Sequence, residues 1–295
     1  MMRPLPVILI MLLGWSGTSG AAPYGVARSA APVLNSPAFS RIFGGADGRS
    51  LKTDRCGQVR EMEFIALPGT VFRVRETIPG AGATVYRVET DDYPAPAGIS
   101  LYVDSRFIEL RDEQPPARSR ILPPRERIIA ALREAVGSPY VWGGNLREGA
   151  HALFGTLYPA EASWDDRAKR RITLAGLDCS GLLYQATNGW TPRNTSQLVA
   201  YGTGVAVEGK SAREIAERLQ PLDLLVWNGH VIIVLDRDTT IESRLECGRP
   251  GNGGVVRTPL RQRLAEIMRT RRPLDAWPAP GKRQGVFVVR RWYGL

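Results

Sequence analysis

Residues 177–189, LDCSGLLYQATNG, place a cysteine at the start of a short predicted helix. Leu182, Leu183 and Ala186 recur at helical spacing, and the closing Asn-Gly pair is typical of a helix end. A thiol in the first helical turn lies near free backbone N–H groups and the positive end of the helix dipole, which favour its ionised form. Cys179 is therefore either a small buried apolar residue or a nucleophile.

A nucleophilic thiol needs a base, and the chain contains only two histidines, His151 and His230. His151 lies in REGAHALFG, which has neither a helix nor a strand pattern. His230 opens the apolar run HVIIVLD, directly after LDLLVWNG, so it marks the start of a predicted strand. Rigid elements hold a base within hydrogen-bonding reach of a nucleophile, and we therefore favour His230.

Glu242 is the candidate for the residue that orients the histidine. It lies in TTIESR, the next predicted strand, twelve positions after His230. If the turn between these strands is centred on Asp236, residues 230 and 242 face each other across an antiparallel pair and point to one side. Taken singly, each residue has an ordinary structural interpretation: a buried cysteine, a histidine at the core edge and an exposed glutamate. Their joint placement favours a Cys-His-Glu site.

Residues 124–295 combine helices with later strands, which predicts an α+β domain. PPRERIIAALREAVG has proline at the helix entry and one apolar face, and SAREIAERL carries the serine and glutamate of a capping box. The strands follow in LDLLVW, HVIIVLD, TTIESR, GVVRT and QGVFVVRRWY.

The first half of the chain has a different pattern. Residues 51–112 contain short alternating runs separated by LPG, IPGAG and PAPAG, which predicts a small all-β barrel of the bacterial SH3-like kind. The alternative is that these strands join the sheet of the following domain. Residues 22–50 are rich in Ala, Pro, Ser and Gly without periodicity and predict an extended leader. The polar, proline-rich residues 113–123 predict a linker.

Five stretches, in chain order, resemble the NlpC-type cell-wall cysteine peptidases: PYVWGG, GLDCSGLLY, PRNTSQ, LQPLDLLVWNGHVIIVLD and TTIESR. The resemblance covers about residues 124–260. It implies a papain-like catalytic domain after the SH3-like barrel, and hydrolysis of peptidoglycan stem peptides, usually between γ-D-glutamate and the next diamino acid. It also implies that Cys179 is the nucleophile and His230 the base. Glu242 then takes a position where the family more often has His, Asn or Gln.

The same resemblance implies four substrate-binding residues. Tyr140, Asp178 and Ser180 match positions that contact the free N-terminus of the stem peptide in members with an SH3-like domain, and Thr195 matches a further binding position. From the residues alone, Tyr140 could equally be a core aromatic and Asp178 a helix cap. The backbone N–H of Cys179 is a natural oxyanion donor.

Three features depart from the family pattern. Residues 145–177 form an insertion where the family has only a few residues, and we expect it to project close to the cleft. The pair before the histidine strand is Leu-Asp rather than Gly-Asp. PRNTSQ is one residue shorter than the common spacing, which weakens the assignment of Thr195.

The N-terminus and the net charge indicate where the protein acts. Residues 1–21 have one early positive charge, a short apolar run and small residues after it, which predicts a secretory signal peptide and an exported protein without stable membrane insertion. The formal net charge of +10 suits an anionic partner such as the cell wall. The basic residues are scattered without interleaved aromatics, so we expect no nucleic-acid binding.

The remaining cysteines and the alternative functions stay open at this stage. Cys56 and Cys247 could form a disulfide that clamps the two domains together, or remain two free thiols. Three cysteines without paired spacing and two histidines do not make a zinc site, and we expect no metal or other cofactor. An amidase or acyltransferase on the same fold, or a non-catalytic wall-binding protein, would be the alternatives to a peptidase.

Overall fold

The computed structural model describes residues 23–80 and 82–294, and it combines helices with β-sheets. The predicted signal peptide, residues 1–21, lies outside the described residues. No helix in the described ranges has the length and apolar character needed to cross a membrane.

The first half of the chain is built mainly from one antiparallel sheet. Its strands and one short helix are β1 (Tyr24–Ala27), β2 (Ala31–Leu34), α1 (Phe39–Ile42), β3 (Phe43–Gly44), β4 (Ser50–Leu51), β5 (Met62–Ala66), β6 (Val71–Ile78), β7 (Val85–Glu89), β8 (Leu101–Asp104) and β9 (Ile108–Arg111). Seven of these strands form the sheet in the order β5-β2-β8-β7-β6-β1-β9, and β3 pairs separately with β4.

The prediction of an extended leader over residues 22–50 is wrong, because β1 and β2 belong to this sheet. Strand β1 pairs with β6 and β9, and β2 pairs with β5 and β8. All four residues of β2 are buried, so the polar and apolar alternation that signals a half-buried strand is missing. The N-terminal domain therefore begins before residue 51.

The sheet of the first half is separate from the main sheet of the second half, so the alternative of one shared sheet is wrong. Within the described residues, its edge strands β5 and β9 do not pair with each other, and the sheet is not a closed barrel. The SH3-like assignment stays a prediction. Residues 113–123 contain no helix or strand, and Arg118 and Arg120 within them form ion pairs with Asp92.

The second half contains the remaining elements. They are α2 (Arg125–Glu134), β10 (Asn145–Leu146), α3 (Asp166–Ile172), β11 (Gly176–Leu177), α4 (Cys179–Ala186), α5 (Thr195–Leu198), β12 (Thr203–Gly204), α6 (Ala212–Arg218), β13 (Leu224–Trp227), β14 (His230–Val234), β15 (Thr239–Leu245), β16 (Gly253–Pro259), α7 (Leu260–Met268), β17 (Arg272–Leu274) and β18 (Val286–Arg291). The main sheet has the order β12-β18-β13-β14-β15-β16, and β17 pairs with β18 in parallel.

Helices cover both faces of the main sheet. On one side, α2 and α4 pack against it through a cluster that includes Ile128, Leu132, Leu183, Val231 and Ile233. On the other side, α6 and α7 bury a second cluster, which includes Ile215, Leu264 and Ile267. The start of α4 lies next to the start of β14, since Cys179 Sγ is 3.9 Å from the carbonyl oxygen of Gly229, the residue before β14.

The insertion, residues 145–177, does not project as expected but packs into the N-terminal domain, and its first residue, Asn145, lies next to Arg193. Leu153, Tyr158, Ile172 and Leu174 are buried in the same apolar core as strands of the first sheet. The Tyr158 hydroxyl donates a hydrogen bond to the Ser50 carbonyl at 3.0 Å. The insertion therefore joins the two halves through a continuous core.

A disulfide and a side-chain clamp also connect the two halves. Cys56 is bonded to Cys247, with 5.1 Å between their Cα atoms, so the open choice between a bridge and two free thiols is settled in favour of the bridge. The side-chain amide of Asn145 both donates to and accepts from the backbone of Ile65 at 2.9 Å. Cys179 is the remaining cysteine and its thiol is free.

Candidate active site

Cys179 is the first residue of α4, and its neighbours explain why the helix starts there. The Asp178 carboxylate caps the helix by accepting a hydrogen bond from the Gly181 N–H at 2.7 Å. Gly181 allows close packing, since a Cβ there would lie 2.0 Å from the Gly144 carbonyl oxygen. Cys179 is 7% exposed and its Sγ lies 3.9 Å from the Gly229 carbonyl oxygen. The DCSG motif thus holds the thiol against the residues that precede β14.

His230 is the first residue of β14, and its Nε2 lies 2.7 Å from Oε2 of Glu242. Because Glu242 takes Nε2, Nδ1 is the ring nitrogen left for the Cys179 thiol. The strands pair as Ile233 with Ile241 and Val234 with Thr240, which places Glu242 opposite Ile232. The predicted direct opposition of residues 230 and 242 is therefore wrong by two positions, but diagonal neighbours still share one side of the sheet.

The charges around His230 favour its protonated form. Burial alone lowers the pKa of His230, but hydrogen bonds with Cys179 and Glu242 and the negative charges of both outweigh burial and raise the pKa to about 9. Burial alone raises the pKa of Glu242, and the hydrogen bonds and positive charges of His230 and Arg263 reverse this and lower it. The arrangement therefore suits a thiolate–imidazolium pair next to an ionised carboxylate.

Arg193 is a buried cation that the sequence prediction did not include among the site residues. Its side chain is 3% exposed, and its Nη2 donates to Oδ2 of Asp178 at 2.6 Å. Its Nη1 donates to Oδ1 of Asp178 at 3.0 Å and to the Ser180 hydroxyl at 2.8 Å. Asp178 and Ser180 are therefore engaged by Arg193 and hold the start of α4.

Thr195 also has a structural partner. Its hydroxyl accepts a hydrogen bond from the Gly229 N–H at 3.0 Å, one residue before His230. Thr195 lines the cleft beside Cys179, so it both faces the cleft and fixes the approach to β14.

The candidate site opens into a cleft of about 410 Å³ between the two halves of the chain. Cys179, Tyr140, Asp178, Ser180 and Thr195 all line it. The N-terminal domain supplies the opposite wall through Met62, Glu63, Tyr93, Pro96 and Ile99. The first domain therefore closes part of the cleft that contains the thiol.

Glu63 is a cleft carboxylate that the sequence prediction missed. Its Oε1 accepts a hydrogen bond from Asn35 Nδ2 at 2.8 Å, and its Oε2 accepts one from the Tyr93 hydroxyl at 2.6 Å. Within the described ranges it forms no ion pair with Lys, Arg or His, although Asp178 in the same cleft is paired with Arg193. Its negative charge remains available to a ligand.

Tyr140 is buried at 8% exposure and lines the cleft. Burial, with the nearby negative charges of Asp178 and Cys179, raises its pKa, so the hydroxyl stays neutral. That hydroxyl forms no hydrogen bond with any described residue.

Other candidate chemistry is located away from this cleft. His151 is exposed in a different part of the fold, where its Nδ1 lies 3.7 Å from Oε1 of Glu161. Across residues 23–80 and 82–294, no group of three or more His, Cys, Asp and Glu side chains is arranged to hold a metal ion.

Replacing Glu242 with glutamine is expected to move the loss of activity on the alkaline side to lower pH. The raised pKa of His230 keeps the imidazolium below about pH 9, and part of this effect comes from the Glu242 charge. Glutamine preserves a hydrogen-bonding group without the charge, so the rate should fall on the order of ten-fold, as for one charge-assisted hydrogen bond. Alanine should lose more because the ring is no longer held. Rate–pH profiles of both variants test this prediction. It would be contradicted if the profiles of both variants matched that of the wild type.

No protein-family model matches the chain, and no curated protein matches it either. The solved structures that are similar to it include the following two. An NlpC/P60 family protein from Bacillus cereus ATCC 10987 is 15% identical, with 92% of this chain and 64% of that chain covered and a TM-score of 0.33. The resuscitation promoting factor interacting protein RipA is 17% identical, with 56% and 61% covered and a TM-score of 0.30. The chain thus spans less than two thirds of the length of either, and at these TM-scores neither likeness supports an assignment.

Proposed function

We propose that this protein is an exported cysteine endopeptidase that hydrolyses peptidoglycan stem peptides at the bond between γ-D-glutamate and the following diamino acid. The observation that carries the proposal is the free Cys179 thiol at a helix start, beside His230 and its 2.7 Å contact with Glu242. The choice of substrate rests on the motifs that resemble NlpC-type peptidases. In this proposal the second half of the chain is the papain-like domain and the first half its SH3-like companion.

In the first step, the Cys179 thiolate attacks the carbonyl carbon of the scissile bond, and His230 holds the proton taken from the thiol. The carbonyl oxygen becomes an oxyanion. The backbone N–H of Cys179 donates to no group within the described residues, so it is free to stabilise this oxygen at the start of α4. The imidazolium of His230 then protonates the leaving amine as the carbon–nitrogen bond breaks, which leaves a thioester on Cys179.

In the second step, His230 takes a proton from a water molecule that attacks the thioester carbonyl. The carbon–sulfur bond breaks, the carboxylic acid product leaves, and the thiolate–imidazolium pair is restored. Glu242 acts throughout by holding the ring and stabilising its positive charge.

The cleft wall from the N-terminal domain supports specificity for a free stem-peptide N-terminus. Glu63 offers an uncompensated carboxylate there, and the Tyr140 hydroxyl can accept a hydrogen bond from an ammonium group. Tyr140, Asp178, Ser180 and Thr195 form the substrate-binding group in this proposal. Asp178 and Ser180 contribute mainly by positioning, because Arg193 already pairs with them.

Stem peptides with a blocked N-terminus are expected to react more slowly than those with a free one. Loss of the ammonium leaves Glu63 unpaired, so kcat/KM should fall by about thirty-fold or more, since a broken charge pair costs about 2 kcal/mol or more. Rates on matched free and N-acetylated peptides measure this. Glu63→Gln is the control variant and should shrink the difference; equal rates on both peptides in the wild type would refute the specificity.

Mass spectrometry of muropeptides after digestion tests the reaction itself. New fragments ending in γ-D-glutamate are the expected products, and Cys179→Ala should yield none. Loss of ammonia from a side-chain amide would indicate an amidase, and a mass gain on the acceptor would indicate acyl transfer. Intact muropeptides with wild-type protein would overturn the proposal.

A further inference from the structure

Arg263 lies at an unusual place for a charged residue. It belongs to α7, whose Leu260, Leu264 and Ile267 are buried against the main sheet. Position 263 is three residues after Leu260 and four before Ile267, so it shares the inward face of the helix. Its side chain is 17% exposed. An inward arginine on an amphipathic helix needs a buried partner.

That partner is Glu242, which Arg263 contacts at both carboxylate oxygens. Nε of Arg263 lies 2.7 Å from Oε1, and Nη2 donates to Oε2 at 2.9 Å. Oε2 is the same oxygen that lies 2.7 Å from His230 Nε2. Glu242 is only 1% exposed, so its charge depends on these contacts and not on water.

The guanidinium is itself held from its other side. Nη1 of Arg263 lies 3.1 Å from Oε2 of Glu266, and Gln262 donates to Oε1 of Glu266 at 2.9 Å. A continuous chain of polar contacts therefore runs from α7 through Glu242 to the His230 ring.

We propose that Arg263 is a positioning residue that keeps the proton shared by His230 and Glu242 on the imidazole. This inference rests on the proposed function, in which the imidazolium is the working form. A carboxylate with a permanent cation at both oxygens is a poor proton acceptor, because guanidinium stays charged at every relevant pH. Without Arg263, a buried carboxylate competes with His230 for the same proton.

Other charged or titratable groups face this pair from the elements around it. They are Cys179 and Asp178 at the start of α4, Arg244 and Glu246 from β15, Arg263 and Glu266 from α7, and Arg271, whose guanidinium lies over the Trp227 ring beside His230. Arg244 is the nearest other cation, with Nη1 3.8 Å from Oε1 of Glu242, and it is itself paired with Glu246 at 3.1 Å. Arg263 is the cation with the shorter, two-point contact.

We expect removal of Arg263 to change two quantities, the pH at which activity is lost on the alkaline side and the maximal rate. The Cys179–His230–Glu242 group loses a fixed positive charge, so it binds its last proton more tightly and the alkaline limb of activity moves to higher pH. At the same time, a larger share of that proton resides on Glu242, so the plateau rate falls. This combination differs from Glu242→Gln, which moves the same limb to lower pH.

The experiment compares wild type with Arg263→Met, Arg263→Lys and Arg261→Met. Arg261 is exposed on the same helix, so its variant controls for net charge and helix content. In Arg263→Met the alkaline limb should rise by about one pH unit, as for loss of a neighbouring charge, and the plateau kcat/KM should fall on the order of ten-fold. Arg263→Lys should keep the wild-type limb with a smaller fall, and Arg261→Met should match wild type.

Two readouts that do not depend on the substrate accompany the rates. Nuclear magnetic resonance of ¹⁵N-histidine reports His230 directly, with exposed His151 as an internal reference in a chain that has only two histidines. The alkylation rate of Cys179 against pH reports its thiolate. If muropeptides are not cleaved but the His230 titration shifts in Arg263→Met, the proposed function fails and the role of Arg263 stands.

An unchanged His230 titration in a folded Arg263→Met protein would overturn the inference, as would a shift to lower pH. If Arg263→Met does not fold, Arg263→Lys decides the question, because it keeps the charge but not the two-point contact. The inference would also be overturned if the His230 titration in Arg263→Lys moved to lower pH by as much as it does in Glu242→Gln.

Discussion

Replacing Cys179 with alanine is expected to abolish peptide hydrolysis, with a loss of roughly a thousand-fold or more, as when the nucleophile of a catalytic set is removed. No other thiol can substitute, because Cys56 and Cys247 are bonded to each other. The fold should persist. Alanine suits a helix start packed beside other small residues, and among residues 23–80 and 82–294 the thiol has one backbone partner, the Gly229 carbonyl oxygen at 3.9 Å.

Kinetics on a defined stem peptide and thermal unfolding of the same samples measure this result. His230→Ala should be about as inactive as Cys179→Ala, and the double variant no worse than either, because residues that act as a unit are not additive. Substantial turnover in Cys179→Ala would exclude thiol catalysis. A double variant that loses much more than each single one would show that the two residues act separately.

Replacing Arg193 with methionine is expected to destabilise the protein and inactivate the site together. Burial alone lowers the pKa of Arg193, but the charge and hydrogen bonds of Asp178 raise it, so the guanidinium stays charged in the folded protein. Methionine leaves Asp178 buried without its cation, which costs about 3–5 kcal/mol of unfolding free energy in comparable pairs. Asp178 also caps the helix that begins at Cys179, so the thiol loses its position.

Chemical denaturation and activity of the same preparation test this expectation. Arg73→Met is the matched control, because Arg73 pairs with Asp91 on the surface, where such contacts contribute little. The double change Asp178→Asn with Arg193→Met should recover part of the stability, since no buried charge remains, but not the activity. An Arg193→Met protein as stable and active as wild type would show that the pair has no such role.

Signals contained within a few neighbouring residues were predictable. The aspartate cap, the cysteine and the close-packing glycine of DCSG lie within four positions, and the apolar runs that mark β13 and β14 lie within about fifteen. These local patterns bring out Cys179, His230 and Glu242 as candidates and separate the chain into a β-rich first half and a mixed second half. Such short-range preferences survive any arrangement of the rest of the chain.

Local patterns failed where burial or pairing changed the meaning of a residue. Strand β2 is buried on both sides and shows no alternation, so it looked like a leader. The turn after β14 determines the register with β15, and a shift of two positions changed the partner of Glu242 without changing its side of the sheet. The insertion carried no sign that its apolar residues would complete the core of the other domain.

The amino-acid sequence by itself determined the thiol at a helix start, the histidine at a strand start and the twelve-residue interval to Glu242. Only the tertiary structure decided the surroundings of the charged residues. Glu63 lines the cleft, Arg193 pairs with Asp178, and Arg263 pairs with Glu242. It also decided that Cys56 bonds to Cys247, 191 positions away. The physical reason is the distance along the chain between the residues that interact. Helix caps and strand alternation arise from neighbouring residues, whereas a buried ion pair forms only when packing brings two distant elements together and removes water from between them.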